Sequence, residues 1–183
     1  YIIVGAALIF GAVYYWSADK SSNQNPEYRP EINPSNFVTV VDNPYFTLKP
    51  GTKFTYEKRT DEGLERIEVA VTNETKQVMG VAATVVRDRV WLNDVIIEDT
   101  KDWYAQDRAG NVWYFGEVVD NYVSGKLTDH AGSWEAGVDG ALPGIVMKTA
   151  PEVGESYRQE YYRGEAEDMG DVVALNKKVS VPH

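Results

Sequence analysis

The sequence predicts an all-β domain, an antiparallel meander forming a barrel, half-barrel or sandwich, preceded by one N-terminal transmembrane helix. Three observations carry that prediction. From Phe37 onward apolar residues recur with a period of two, and turn residues interrupt them at short intervals. No helical period of normal length follows residue 16, whereas the first 16 residues hold no charged side chain at all.

Tyr1 to Trp16 read YIIVGAALIFGAVYYW. A helix of that length spans roughly 24 Å against a hydrocarbon core of ~30 Å, so a full span calls for apolar residues upstream. Tyr14, Tyr15 and Trp16 stand where an aromatic belt meets the membrane–water interface. Gly5, Ala6, Ala7, Gly11 and Ala12 are small enough to let a second helix pack closely. Competing readings are a signal peptide, a buried soluble helix and a pilin-like assembly helix. The bulky Tyr-Tyr-Trp end does not resemble a cleavage site. The expectation is a single-pass bacterial membrane protein that contacts lipid through residues 1–16, with its β domain on the periplasmic or extracellular side.

Residues 17–36 are polar, carry Pro26, Pro30 and Pro34, and read as an extended linker. Residues 37–183 form the domain. Phe37–Val41 is a short strand, and Pro50-Gly51 turns into Thr52–Lys58. Thr60-Asp61-Glu62-Gly63 is a hairpin turn before Leu64–Val71. Met79-Gly80 opens the long run Val81–Leu92, and Asn93-Asp94 turns into Val95–Asp99. Trp103–Ala105 pairs with Val112–Phe115 across a turn containing Gly110, and Tyr157–Tyr162 and Val172–Val181 complete the strands. A chain ending within a strand would leave an unpaired edge, so further C-terminal strands are expected beyond His183.

Composition excludes several function classes. The net charge of −10 argues against nucleic acid as a partner, because phosphate binding needs a basic stripe. The absence of cysteine removes disulfides, thiol catalysis, cysteine-ligated zinc and iron–sulfur clusters. Only His130 and His183 are present; no Gly-x-Ser-x-Gly elbow, phosphate loop, dinucleotide fingerprint or His-Glu-x-x-His occurs. Asp99, Asp102 and Asp107 cluster in sequence and must be weighed as a paired-acid site, but an acidic protein carries such runs on solvated turns. Gly164–Asp171 gathers oxygen ligands without EF-hand spacing. No catalytic, cofactor or metal residue is assigned.

Aromatic residues are more informative. In Trp103-Tyr104 and Trp113-Tyr114-Phe115, strand neighbours must point to opposite faces, so large rings lie on both sides of one sheet. One face is core; the other is covered, lines an apolar cavity or meets a partner. Trp91, Trp103, Tyr104, Trp113, Tyr114 and Trp134 are therefore candidate interface or ligand-face residues. The Gly-rich stretch 132–144 is either an ordinary long connection, the reading favoured here, or a lid or docking loop.

The segments Asn43-Pro44-Tyr45-Phe46, Leu48-Lys49-Pro50-Gly51, 102–107 (DWYAQD), 110–117 (GNVWYFGE), 133–140 (SWEAGVDG) and 156–162 (SYRQEYY) resemble a family of uncharacterised bacterial exported proteins and lipoproteins. The resemblance covers roughly residues 43–182. It implies a curved antiparallel sheet like that of bacterial lipoprotein carriers and an extracytoplasmic location, and it implies no activity. The retained apolar segment departs from the many relatives that look like lipoproteins or cleaved secreted proteins.

The expected function is non-enzymatic: an accessory or structural subunit of a larger membrane complex, photosynthetic or respiratory for example. Its β domain would cover the extracytoplasmic face, with other transmembrane subunits as partners. The alternatives are a lipid- or apolar-ligand-binding module and a surface filament subunit.

Overall fold

The computed structural model describes residues 28–178 and 180; the apolar segment 1–16 and the helix-packing and belt residues expected within it lie outside that range. The described residues are all-β, and their strands build an antiparallel half-barrel sheet. Of the polar stretch 17–36, residues 28–36 lie against the domain. The Tyr28 hydroxyl donates to the Pro143 carbonyl at 2.9 Å, and Ile32 packs on the core. Pro34–Asn36 form a single 3-10 turn capped by Asn33.

The strands are β1 (Phe37–Val38), β2 (Val41–Asn43), β3 (Phe46–Leu48), β4 (Lys53–Thr60), β5 (Gly63–Val78), β6 (Val81–Leu92) and β7 (Val95–Asp107). They continue with β8 (Val112–Val123), β9 (Lys126–Asp129), β10 (Trp134–Glu135), β11 (Leu142–Met147), β12 (Ser156–Arg158), β13 (Glu160–Tyr161) and β14 (Met169–Asp171). The main sheet runs β13-β11-β8-β7-β6-β5-β4. Strands β9, β10 and β11 share the outer edge of β8, and β1 pairs with β7. β2 and β3 form a separate hairpin, as do β12 and β14.

The long central strands follow from apolar alternation plus turn chemistry. At the β6–β7 turn, Asn93 and Asp94 both take positive φ (49° and 63°), the conformation a two-residue hairpin favours. The expected strand Val81–Leu92 is observed with those limits. Two expected strands, Val95–Asp99 and Trp103–Ala105, are one continuous β7. Thr100-Lys101-Asp102 lacks apolar residues, but β6 and β8 pair with it on both sides. The expected strand over Val172–Val181 is not formed across its described residues. Pairing with β12 ends at Asp171, and Asn176 then takes a positive φ of 56°.

Register assigns side chains to faces, because Cα partners point the same way. One face carries Val71, Val86, Tyr104 and Tyr114; the β2–β3 hairpin packs there through Val41, Leu48 and Phe46, whose ring meets Tyr104 edge-on at 5.3 Å. The opposite face carries Ala83, Val85, Trp103 and Ala105, with Phe37 set edge-on against Trp113 and Phe115. Both faces of this end of the sheet are therefore covered by the chain itself. At the other end, the turns β4–β5, β6–β7 and β8–β9 lie side by side, as the strand directions require. Val95, Val123 and Leu127 are exposed there.

Candidate functional site

The period of two sorts the charges of β6, β7 and β8 by face. Arg87 and Arg89 point to one side and Asp88, between them, to the other. On the first side Arg87 is hydrogen-bonded and ion-paired to Asp99, and Glu68 holds both Lys53 and Arg89. Those cations pull the Glu68 carboxyl below its ordinary range, Lys53 first. The guanidinium groups of Arg66 and Arg89 lie 4.1 and 5.1 Å from the Trp91 ring centre.

The second side gathers carboxyls instead. Asp102 of β7 is the direct partner of Glu117 of β8, and both are buried. The Tyr114 hydroxyl donates to Asp102 Oδ1 at 2.7 Å, and Tyr114 stacks on Tyr104 with ring centres 4.8 Å apart. Trp134 of β10, the Cα partner of Glu117, stands edge-on to Tyr114 at 5.3 Å. This close approach needs Gly116, a bulge residue at φ 123°, where a Cβ would meet the Trp134 carbonyl oxygen at 2.3 Å. The Trp134 indole N–H is near enough to favour the charged form of Glu160, yet it finds no acceptor in hydrogen-bond geometry. Asp88 Oδ1 and Glu65 Oε1 are likewise buried without a partner.

Burial dominates the acidity of this cluster. It raises Glu117 to about 9, with the charges of Asp102 and Glu160 adding to the effect. Burial also raises Asp102, Asp88 and Glu160, each to about 7; for Asp102 the Tyr114 hydrogen bond works in the opposite direction. Glu98 is raised as well, and Tyr104 and Tyr114 are pushed well above 10. Near neutral pH the cluster therefore retains protons and can exchange them.

Asp99, Asp102 and Asp107 do not converge. Asp99 belongs to the ion-paired face, Asp102 to the buried cluster, and Asp107 sits at the β7–β8 turn, where it accepts from Trp113 Nε1 at 2.8 Å and from Asn111. His130 is exposed beside Asp120 at 2.8 Å, with Val119 as its other neighbour. Among the described residues, no group of three or more histidine or acidic side chains is placed to hold a metal ion, the stretch Gly164–Asp171 included. Trp103, Tyr114 and Trp134 are buried, while Trp91, Tyr104 and Trp113 are half-buried. The Gly-rich stretch 132–144 contributes β10 and the start of β11 to the sheet.

No protein-family model, curated protein or solved structure matches this chain.

Of the five clustered acids, Asp88 and Glu98 lie in no segment singled out above, while Glu117 and Glu160 lie within 110–117 (GNVWYFGE) and 156–162 (SYRQEYY), whose resemblance implies no role for them. A signal did exist in their neighbours. Glu117 follows Phe115-Gly116 and precedes Val118-Val119, and Asp88 lies two residues from Val86 and Val90 on the apolar parity of β6.

Proposed function

We propose that this protein is a non-enzymatic accessory subunit, anchored in a bacterial membrane by residues 1–16, whose β domain docks on another protein of a larger membrane complex. The observation that supports docking is the distribution of exposed apolar side chains. The aromatic rings of the sheet centre are covered by the chain's own segments. Val95, Val123 and Leu127 are exposed where three hairpins end together, and Phe54 and Tyr56 are exposed on β4. Among the described strands β4 pairs only with β5 and forms the edge of the sheet. An apolar rim beside an open edge suits a protein surface better than bulk water. The small residues of the anchor support the same reading, since they favour helix–helix contact.

The test is photo-crosslinking in native membranes with a benzophenone amino acid at Val123 or Tyr56. A specific adduct with another membrane protein is expected, and absent from a probe at exposed Asp139. Extraction of the native chain as a lone species, without adducts, would overturn the reading.

A second reading, an apolar-ligand module, is favoured by one observation. The sheet face that holds Ile67, Val71 and Val86 carries Asp88 and Glu117, whose carboxyls burial makes harder to ionise. Lipid in organic extracts of the purified full chain, in stoichiometric amount, would select it.

A further inference from the structure

Strand β4 is exposed along nearly its whole length and, among the described strands, pairs only with β5. Its register runs unbroken from Lys53↔Ala70 to Thr60↔Gly63. Just before it, the Thr52 carbonyl accepts from the Val71 amide at 2.9 Å. Antiparallel strands alternate bonded and non-bonded pairs, so Phe54, Tyr56 and Lys58 turn their backbone groups to β5 as Thr52 does. The N–H and C=O groups of Lys53, Thr55, Glu57 and Arg59 therefore point away from β5, along the open edge. Side chains alternate too. Phe54 and Tyr56, opposite Val69 and Ile67, carry the apolar face of the sheet out to this edge and are 43% and 53% exposed. Lys53, Thr55 and Glu57 stand on the other face, opposite Ala70, Glu68 and Arg66.

We propose that two copies of this chain join β4 to β4, antiparallel about a twofold axis at Thr55, so that their sheets become one. A twofold axis normal to the sheet keeps corresponding faces on the same side. Centred on Thr55, it sets Thr55 against Thr55 and Lys53 against the second copy's Glu57, all with outward backbone groups free to bond across the edge. Phe54 meets the second copy's Tyr56 in the intervening non-bonded pair, where side chains approach most closely. Aromatic pairs, opposite charges and paired threonines are each favourable across strands. Lys53 already holds Glu68 of its own sheet, but its side chain is 54% exposed and open to the second carboxylate.

Other registers lack this match. Centring on Tyr56 sets Lys53 against Arg59, and centring on Glu57 sets that carboxylate against itself. Centring on Phe54 shortens the overlap, because the strand begins at Lys53. A slip of one residue would set outward backbone groups against inward ones. The charges of β4 thus guard the edge against general pairing and admit one closed arrangement. The proposal deepens the docking reading and rests on it in taking the β4 edge as a contact surface. Val95, Val123 and Leu127 remain for the other protein.

The chain has no cysteine, so engineered thiols report the register cleanly. In the full chain in mild detergent, Thr55→Cys should form a disulfide dimer on gentle oxidation, since Cα atoms of a bonded pair lie about 5.5 Å apart. Glu57→Cys alone should not, whereas a mixture of Lys53→Cys and Glu57→Cys chains should. Thr55→Pro removes an N–H that β5 does not use, and should weaken self-association at least about tenfold while the chain stays folded. The proposal is overturned if the native chain sediments as a monomer or if Glu57→Cys cross-links as readily as Thr55→Cys. Protected Thr55 and Glu57 amides in a monomer would also overturn it, because a segment of the same chain would then cover the edge. The cysteine variants decide the matter even if Thr55→Pro fails to fold. The purified chain needs no other subunit, so failure here leaves the Val123 adduct untouched, and loss of that adduct leaves this pairing intact.

Discussion

Asp102 and Glu117 face each other directly across β7 and β8, two buried carboxyl side chains whose acidity burial and each other's charge weaken. Their burial makes the folded state bind protons that the unfolded chain would release.

The sign of the resulting pH dependence follows. A carboxyl raised on folding binds more protons in the native state between its unfolded and folded values. Stability is therefore greatest in mild acid, near the ordinary carboxyl range, and falls as pH rises toward about 7 for Asp102 and about 9 for Glu117. Urea midpoints should decline from pH 5 to pH 9. Glu117→Gln, which keeps the shape and a hydrogen-bonding group, should flatten that slope and raise stability at pH 8 by roughly 1–3 kcal/mol. A midpoint that rises over the same range would refute the assignment.

Tyr114→Phe removes the hydroxyl that donates to Asp102 at 2.7 Å. The buried carboxyl then loses a partner at a cost of about 1–3 kcal/mol, measurable by denaturant titration at pH 6. Because the hydroxyl also favours ionised Asp102, the variant should titrate this group at a higher pH than the native protein, as carbonyl-labelled NMR of the aspartates would show.

Asn93 staples two hairpin turns together. Its Oδ1 accepts from Leu64 N at 3.0 Å, its Nδ2 donates to the Glu62 carbonyl at 3.0 Å, and Gly63 leaves room for it, since a Cβ there would lie 2.1 Å from Oδ1. Asn93→Gly keeps the positive φ but loses both side-chain bonds. It should cost about 1–2 kcal/mol and raise exchange at Leu64. Gly63→Ala should be worse, because it adds strain at φ 141° to the steric clash. Equal stability of Gly63→Ala and native protein would contradict this geometry.

Glu68 anchors Lys53 and Arg89 on the opposite face. Its acidity is strengthened by those partners, so its contribution is present above the ordinary carboxyl pKa and is lost as pH falls through its lowered value. Glu68→Gln should therefore reduce stability at pH 6 and lose less than the native protein between pH 5 and pH 2. Because Lys53 is half-exposed, 0.5 M salt should weaken the effect.

The strand order of the centre was legible in residues. Val81–Leu92, the turns at Asn93-Asp94 and Thr60–Gly63, and the opposite orientation of Trp103 and Tyr104 all follow from a period of two and from turn chemistry. The continuity of β7 through Thr100-Lys101-Asp102 was not, because its neighbours on both sides supply the pairing. Across its described residues the Val172–Val181 expectation failed for the converse reason: apolar residues are present there, but no described strand pairs with them beyond Asp171.

Sequence by itself determined the all-β class, the main hairpins, the acidic surface and the absence of thiol chemistry. Only the tertiary structure decided which acids meet. Asp99, Asp102 and Asp107 are neighbours in the chain yet go to three environments, since face and distance along a strand separate them. Asp102 and Glu117 come from two strands, and register brings them together next to a glycine bulge at Gly116. Acidity follows from that placement, because burial and like-charged neighbours are properties of the folded chain and not of any segment of it.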